Sequence, residues 1–525
     1  MARDENNRAY LIGGGIGSLA AAAFMIRDGG MRGESITILE SLSVVGGSLD
    51  GAGRADRGYS MRGGRMLTTD TYECTWDLYR SIPSLQHPGT SVYDETVEFN
   101  EQHRLHARAR LVDKQRAKLP VRFTDFSMRE REQLLALASA DEERLERTSI
   151  TDWLSPAFFE TEFWLMWSTT FAFQPWHSAI ELKRYLHRFA LELPRLGTLE
   201  SMKRTVFNQY DSMILPLRGW LRSRGVCMLT NCLVTKIEHE TVDGKLDVTG
   251  IRCVRDGENQ LFPIQKGDVV FLVNGSMTDA STVGTMDTPP AKLTKRNSES
   301  WALWEDLARG RSGFGDPSVF NSSVAQSCWH SFTVTLKQPR FFDAMCKFTG
   351  NEAGTGGLVT FKDSAWLLSI ALSHQPEFAD QPSDVQVFWG YGLFPDRIGD
   401  FVAKPMEACS GKEILRELCG HLRFEPETVE AAICLPCRMP YITSVFMQRG
   451  HADRPLPVPR ESRNLAFIGQ FVEIPDDVVF TFEYSIRAAQ MAVYELLGVK
   501  REVPPVTPHD GSRHARLGAL IESFE

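Results

Sequence analysis

The chain has 525 residues, 42% hydrophobic and 24% charged, with a formal net charge of −9. That length buries a large core and divides into two or three domains, and the acidic balance excludes general nucleic-acid binding. No basic region leading into an apolar segment opens the chain and no apolar run spans a bilayer, so a cytoplasmic location is expected. The ten cysteines are scattered. Cys227, Cys232 and Cys253 sit inside apolar patterns as reduced core thiols. Cys434-Leu435-Pro436-Cys437 has no second CxxC or nearby His cluster to complete a site, so no metal is expected.

The first predicted element is a strand, Ala9–Ile12, running into Gly13-Gly14-Gly15-Ile16-Gly17-Ser18 and an Ala-rich helix. Gly13 permits the tight turn, Gly15 lets a pyrophosphate approach the backbone, and Gly17 and Ser18 are small enough for the helix to pack on the strand. The helix N-terminus offers free N–H groups to phosphates. A second strand, Ile36–Leu39, ends on Glu40, whose carboxylate suits unphosphorylated ribose hydroxyls. FAD and NAD both fit; the Gly46-Gly47 pair that follows, with Ser48, resembles the layout of large FAD enzymes and favours FAD.

Residues 1–150 are read as the first part of an FAD-binding domain, with a helix over 128–148. Residues 151–225 are a helical substrate-binding segment, in which Phe163–Phe173 is apolar on almost all sides. From 226 to 299 the period changes to alternation broken by Asp243-Gly244 and Asp256-Gly257. This predicts an antiparallel meander that begins at Cys227-Met228-Leu229, and then a return strand, Asp268–Val273, ending near Gly275-Ser276. Residues 300–440 read as a substrate-binding domain, with strands at Ser331–Thr335 and Val385–Trp389. Residues 441–500 close the FAD domain with a strand ending at Gly469 and a helix over 481–497. The tail, 501–525, carries an amphipathic stretch at 515–524 that suits the protein surface or peripheral membrane contact. The fold class is α/β: a Rossmann-like, FAD-binding βαβ fold with a small antiparallel meander and a mixed, largely helical substrate domain.

Several longer runs carry a family resemblance. They are Gly46–Gly51, Arg62-Gly63-Gly64-Arg65, Tyr72–Leu78, Arg80–Leu85, Phe171–Ala179, Asn208–Ser212, Trp389–Pro395 and Gly469–Thr481. On these the chain resembles, over about residues 9 to 525, the oleate hydratase family of FAD-dependent fatty acid hydratases, also labelled myosin-cross-reactive antigens. The resemblance implies addition of water across a cis double bond of an unsaturated fatty acid. FAD is required without net redox, and Arg62, Gly63, Gly64, Arg65, Gly275, Ser276, Gly469, Phe480 and Thr481 join the cofactor residues. Such a reaction needs an acid for one alkene carbon, a polariser for water at the other, and a long apolar tunnel.

By the same resemblance the acid is Tyr185, in Ile180-Glu181-Leu182-Lys183-Arg184-Tyr185. The family's water-activating Glu falls here on Met66, whose thioether is no base; Asp70, or a main-chain carbonyl with flavin assistance, is left to orient the water. The family's carboxylate anchor, Thr-x-Asn-x-Gln-Pro-His, reads here Ala371, Ser373, Gln375-Pro376 and Glu377. Ser373 keeps a donor, Glu377 would repel a carboxylate, and His374 and Gln209 are substitutes; Trp176 completes the expected substrate contacts. Relatives carry a longer stretch before the first strand, so a monomer is expected. Two other activities fit the cofactor motif: a flavin oxidoreductase of the amine-oxidase or desaturase type, and an inactive lipid-binding flavoprotein.

Overall fold

Strand Ala9–Ile12 is the middle of a five-stranded parallel sheet in the order Leu465–Ile468, Val269–Val273, Ala9–Ile12, Ile36–Leu39, Cys227–Leu229. The computed structural model describes residues 7–64, 66–120, 127–293 and 299–507. Ala9 stands level with both Val269 and Ile36. These strands are apolar runs rather than alternations because both of their faces are buried. Helix Ile16–Arg27 is buried from Ile16 to Met25. Its small residues let it lie against the closing helix Phe482–Leu497, where Phe24 meets Tyr494 edge-on at 6.3 Å.

Two elements depart from the sequence reading. Cys227–Leu229 is not part of the meander; it pairs in parallel with Ile36–Leu39 and forms the sheet edge. Three residues are too few for alternation to tell a sheet edge from a hairpin arm. The meander itself is Cys232–Val242, Lys245–Arg255 and Glu258–Pro263. The helix expected over 128–148 is two, Met128–Ser139 and Glu142–Leu145, because Ala140 adopts an extended conformation between them.

A second sheet, of eight strands, contains the strands expected at Ser331–Thr335 and Val385–Trp389 together with six others. Its order is Thr282–Val283, Ile433–Met439, Trp329–Leu336, Gln386–Gly392, Leu368–Ala371, Leu358–Phe361, Leu111–Val112, Lys118–Leu119. Residues 111–119, expected within the first part of the FAD-binding domain, finish this sheet at one edge. The hairpin Gly51–Arg54/Gly58–Met61 hangs on this sheet. The N–H groups of Tyr59 and Met61 donate to the hydroxyls of Thr335 and Thr333, at 2.8 and 3.2 Å. Arg62, Gly63 and Gly64 follow that hairpin directly.

Buried ion pairs join helix Ala179–Arg188 to the loop before the closing helix. Arg184 binds Glu473 at 2.7 Å and Glu142 at 2.6 Å. Arg188 binds Glu73 at 2.7 Å, and Arg487 binds Asp477 at 2.8 Å. Arg449 links Glu181 and Glu473 at 2.7 and 2.9 Å. Charges this deep are tolerated only when paired. Among the described residues no helix is long and apolar enough to cross a membrane. The stretch 515–524 lies outside the described residues.

Candidate active site

The glycine-rich turn closes by two interactions. The N–H of Gly13 donates to the Leu39 carbonyl at 2.8 Å, and that of Gly14 to Glu40 Oε2 at 2.6 Å. Gly47 crosses over the turn at φ +56°, where an added Cβ would lie 2.9 Å from Gly15 Cα. Gly15 itself faces open space, with only Gly47 Cα in reach of its absent Cβ at 3.9 Å. Gly15 also N-caps helix Ile16–Arg27, and no side chain caps that helix end. An uncapped N-terminus beside a cleared backbone is a fit for a phosphate-bearing ligand.

A cavity of about 400 Å³ opens on this turn. Gly13, Gly15, Gly17, Glu40, Gly47, Ser48, Arg62, Gly275, Ser276 and Gly469 line it. Val234, Asp279 and Gln470, which motif reading missed, line it as well. Ser18 is buried behind the turn and Gly46 pairs with Gly15. Glu40 is buried, which raises its pKa even though it accepts from the N–H groups of Leu42 and Gly14. Both carboxylate oxygens keep acceptor capacity for a sugar hydroxyl.

Two smaller cavities lie beside it. One, about 110 Å³, shares Arg62 with the first and is walled by Gly63, Gly64, Met66, Thr68, Tyr72, Thr170, Tyr185, Phe480 and Thr481. The other, about 150 Å³, shares Gly64, Met66, Thr170, Trp329, Trp389 and Phe480 with it. Arg204, Gln209, Ser373, His374 and Glu377 lie in the wall of that last chamber, and much of the remaining wall is apolar or aromatic.

Tyr185 projects from helix Ala179–Arg188 into a cage of Phe171, Phe173, Phe189 and Phe446, with ring centroids 5.0–5.8 Å away. Its hydroxyl donates to the Val479 carbonyl at 2.5 Å. Burial holds the phenol's pKa well above its ordinary value. Phe480, at φ +69°, follows directly, its N–H bound to Gln470 Oε1 at 2.6 Å. Thr481 then caps the closing helix by accepting from the N–H of Tyr484 at 3.3 Å.

The polar end is unlike the rest. Glu377 is pushed up to about 8, chiefly by burial, against the lowering effect of a Ser373 hydrogen bond and of Arg204. Burial, Arg204 and His103 lower His374 to about 4, which leaves it neutral. Arg204 donates from Nη2 to the His103 carbonyl at 3.3 Å, while its Nε and Nη1 are buried without a hydrogen-bond partner.

Two expected residues lie elsewhere. Asp70 is exposed and lines none of these cavities. Leu67 is bridged to Lys203, and the Thr68 carbonyl accepts from Trp76 Nε1 at 2.9 Å, so the chain leaves the chamber before Asp70. Trp176 lines none of them either; its Nε1 donates to the Gln326 carbonyl at 3.2 Å. Arg65 lies outside the described residues. Arg204 was missed: its only sequence signal was its closeness to the Asn208-Gln209 motif, and the fold brings it to Glu377.

Comparison with known proteins agrees with this architecture. The family model "MCRA family" matches residues 6–494. A curated oleate hydratase of Streptococcus pyogenes serotype M49 (strain NZ131) is 39% identical over 513 residues, covering 95% of this chain and 87% of that protein. A linoleate hydratase of Lactiplantibacillus plantarum is 32% identical over 564 residues, covering 99% of each. Among solved structures, an oxidoreductase from Methanosarcina mazei superposes with a TM-score of 0.54 at 12% identity, covering 93% of this chain and 100% of that one. Reduced UDP-galactopyranose mutase does so with a TM-score of 0.51 at 12% identity, covering 99% and 100%. Those two likenesses are of fold alone. Matched by its model over nearly the whole length, the chain belongs to the MCRA family.

Proposed function

We propose that this chain is a fatty acid hydratase: it adds water across a cis double bond of an unsaturated fatty acid, oleate giving a 10-hydroxystearate-like product, with FAD bound and no net redox change. The observation that carries the reading is that three neighbouring cavities share wall residues: one at a turn suited to phosphate, one beside a buried phenol, and one apolar with a polar end. The two hydratase relatives support the same reaction class. All ten cysteines are free, which suits a reducing cytoplasm.

The turn Gly13–Gly17 with Gly47 receives the pyrophosphate of FAD, and Glu40 its ribose. When bound, FAD supplies an electron-rich ring system that stabilises positive charge developing on the alkene. The Tyr185 phenol gives its proton to one alkene carbon while water attacks the other. The proton shed by the water returns to the phenolate, so the residue is regenerated. Among the described residues no carboxylate lines the Tyr185 chamber, and Met66 stands where the family carries a Glu. Hydroxyls of Thr68, Tyr72, Thr170 and Thr481 and main-chain carbonyls therefore orient the water. The apolar wall of the last chamber takes the acyl chain, with its carboxylate towards Gln209, Ser373 and His374.

Incubating the FAD-loaded protein with oleate under catalytic reduced flavin, with product mass analysis, tests the reading. A gain of one water, lost in Tyr185→Phe, is expected. Stoichiometric flavin reduction by the lipid, or lipid binding without turnover, would overturn it.

A further inference from the structure

Helix Gly411–Leu422 carries Glu417 and His421 one turn apart, so both side chains leave the same face. A loop ahead of it, residues 396–405, brings Asp400 to that face. Glu417 is fully buried and is fixed by the loop itself. Its Oε1 accepts from the N–H of Asp400 at 2.7 Å, and its Oε2 from the N–H groups of Phe401 and Val402, each at 2.8 Å. Those bonds leave an acceptor position of the carboxylate unused, on Oε1. Gly399 gives the carboxylate its space: a Cβ there would stand 2.7 Å from Oε2. Asp400 Oδ2 accepts from the N–H of Ala365 at 2.8 Å, which fixes the second carboxylate.

The His421 side chain is only 10% exposed. Its ring packs on Phe361, stacked at 5.5 Å, and on Phe401, edge-on at 5.1 Å. Nε2 is buried and makes no hydrogen bond. It nevertheless lies 3.3 Å from Glu417 Oε1 and 3.5 Å from Asp400 Oδ2. The imidazole nitrogen and one oxygen of each carboxylate all lie within 4.8 Å of one another. Among the described residues no Lys or Arg comes within 4 Å of either carboxylate. The spacing favours a metal over an ion pair. A hydrogen-bonded nitrogen and oxygen stand about 2.7–3.2 Å apart. Two ligands of a tetrahedral zinc ion, each about 2.0–2.2 Å from it, stand about 3.3–3.6 Å apart.

We propose that Asp400, Glu417 and His421 form a zinc site, in which His421 Nε2 and one oxygen of each carboxylate bind the ion and a water takes the fourth position. The two carboxylates cancel the charge of the dication. The neutral imidazole adds a nitrogen donor, which suits zinc, whereas magnesium and calcium take oxygen shells. Asp400, with its side chain 42% exposed, gives the ion its way in and the water its place. No cysteine takes part, so the cysteine spacing that argued against a metal does not bear on this cluster. None of the three residues lines the cavities of the candidate active site. The ion pins the loop 396–405 to the helix, and its effect is on stability rather than on the chemistry of the lipid.

The test strips the FAD-loaded protein with a chelator, desalts it, adds one equivalent of zinc chloride and dialyses. Expected is about one zinc retained per chain, with X-ray absorption showing nitrogen and oxygen ligands at about 2.0–2.2 Å and no sulfur at about 2.3 Å. Asp400→Asn keeps an acceptor for the Ala365 N–H and removes the charge; zinc affinity is expected to weaken by about tenfold or more. His421→Gln is expected to abolish retention. Zinc is expected to raise the melting temperature of the wild type and not that of His421→Gln, and magnesium to leave both unchanged. Wild-type protein that retains no zinc overturns the proposal and leaves an ion pair in its place. So does a shell containing sulfur, which puts the metal on cysteines, or retention by His421→Gln equal to that of the wild type. Equal stabilisation by magnesium overturns the choice of zinc. Should a variant fail to fold, the ligand shell of the wild type decides alone.

Discussion

The Tyr185 hydroxyl and the Val479 carbonyl lie 2.5 Å apart, so the helix that carries the phenol is tied to the loop leading into Phe480. Tyr185→Phe removes the only acidic hydrogen on that ring and keeps the cage of phenylalanines. Turnover on oleate is expected to fall about 100- to 10,000-fold. Stability is expected to drop by about 1–2 kcal/mol, because the Val479 carbonyl loses its donor. Steady-state product formation and a denaturant melt separate the two effects.

Several phenols share the raised affinity for their proton: burial pushes up Tyr79, Tyr185, Tyr391 and Tyr484. Each pKa is raised above the unfolded value of about 10. Folded and unfolded states therefore bind the same protons below that pH, while above it the unfolded state ionises first. The contribution of these four phenols to stability is expected to be constant up to about pH 10 and to fall beyond it. Phenolate absorbance from these rings should appear together with loss of structure. A gradual titration of all tyrosines in the folded protein would contradict this.

Gly47→Ala tests the crossing of two backbones. The new Cβ would sit 2.9 Å from Gly15 Cα at a residue with φ +56°. Relief requires the Gly46-Gly47 segment to lift off the turn, at a cost of about 1–3 kcal/mol. FAD affinity is expected to weaken by about tenfold or more while the fold survives. Flavin absorbance retained after desalting, beside wild type, reads it.

The Arg449–Glu181 pair has both side chains 0% exposed. Arg449→Met leaves Glu181 facing Arg454 alone, at 3.1 Å. A loss of about 3–5 kcal/mol is expected in a denaturant melt. Adding Glu181→Leu is expected to bring no recovery, because it takes from the fully buried Arg454 its acid at 3.1 Å.

Asp70→Ala is expected to hydrate within about twofold of wild type, since an exposed side chain outside the cavities contributes little. A large fall in turnover with an unchanged melt would mean that Asp70 reaches the reaction.

Much of the first domain could be read in order along the chain. Ala9–Ile12, Val269–Val273 and Leu465–Ile468 are apolar runs ending near glycine, and such runs have few alternatives to a buried parallel strand. The second sheet was harder. Leu111–Val112 and Lys118–Leu119 are two residues each and gain their partners from Leu358–Phe361, far away in sequence. In the site, Tyr185 and Met66 came from motif matching and do line one chamber. Asp70 was chosen for its chemistry, and the bridge of Leu67 to Lys203 that carries it away is tertiary. The meaning of Glu377 was equally hidden, because its proton affinity is set by burial that no neighbour in sequence reports.

Arg62, Gly63, Gly64 and Met66 make one short strip of wall. It is suspended from Thr333 and Thr335 through the hairpin before it, and it supplies wall to all three cavities. On the function proposed above, cofactor and lipid would both touch this strip. Whatever free energy one ligand contributes by stiffening that strip is returned, in equal amount, to the affinity for the other.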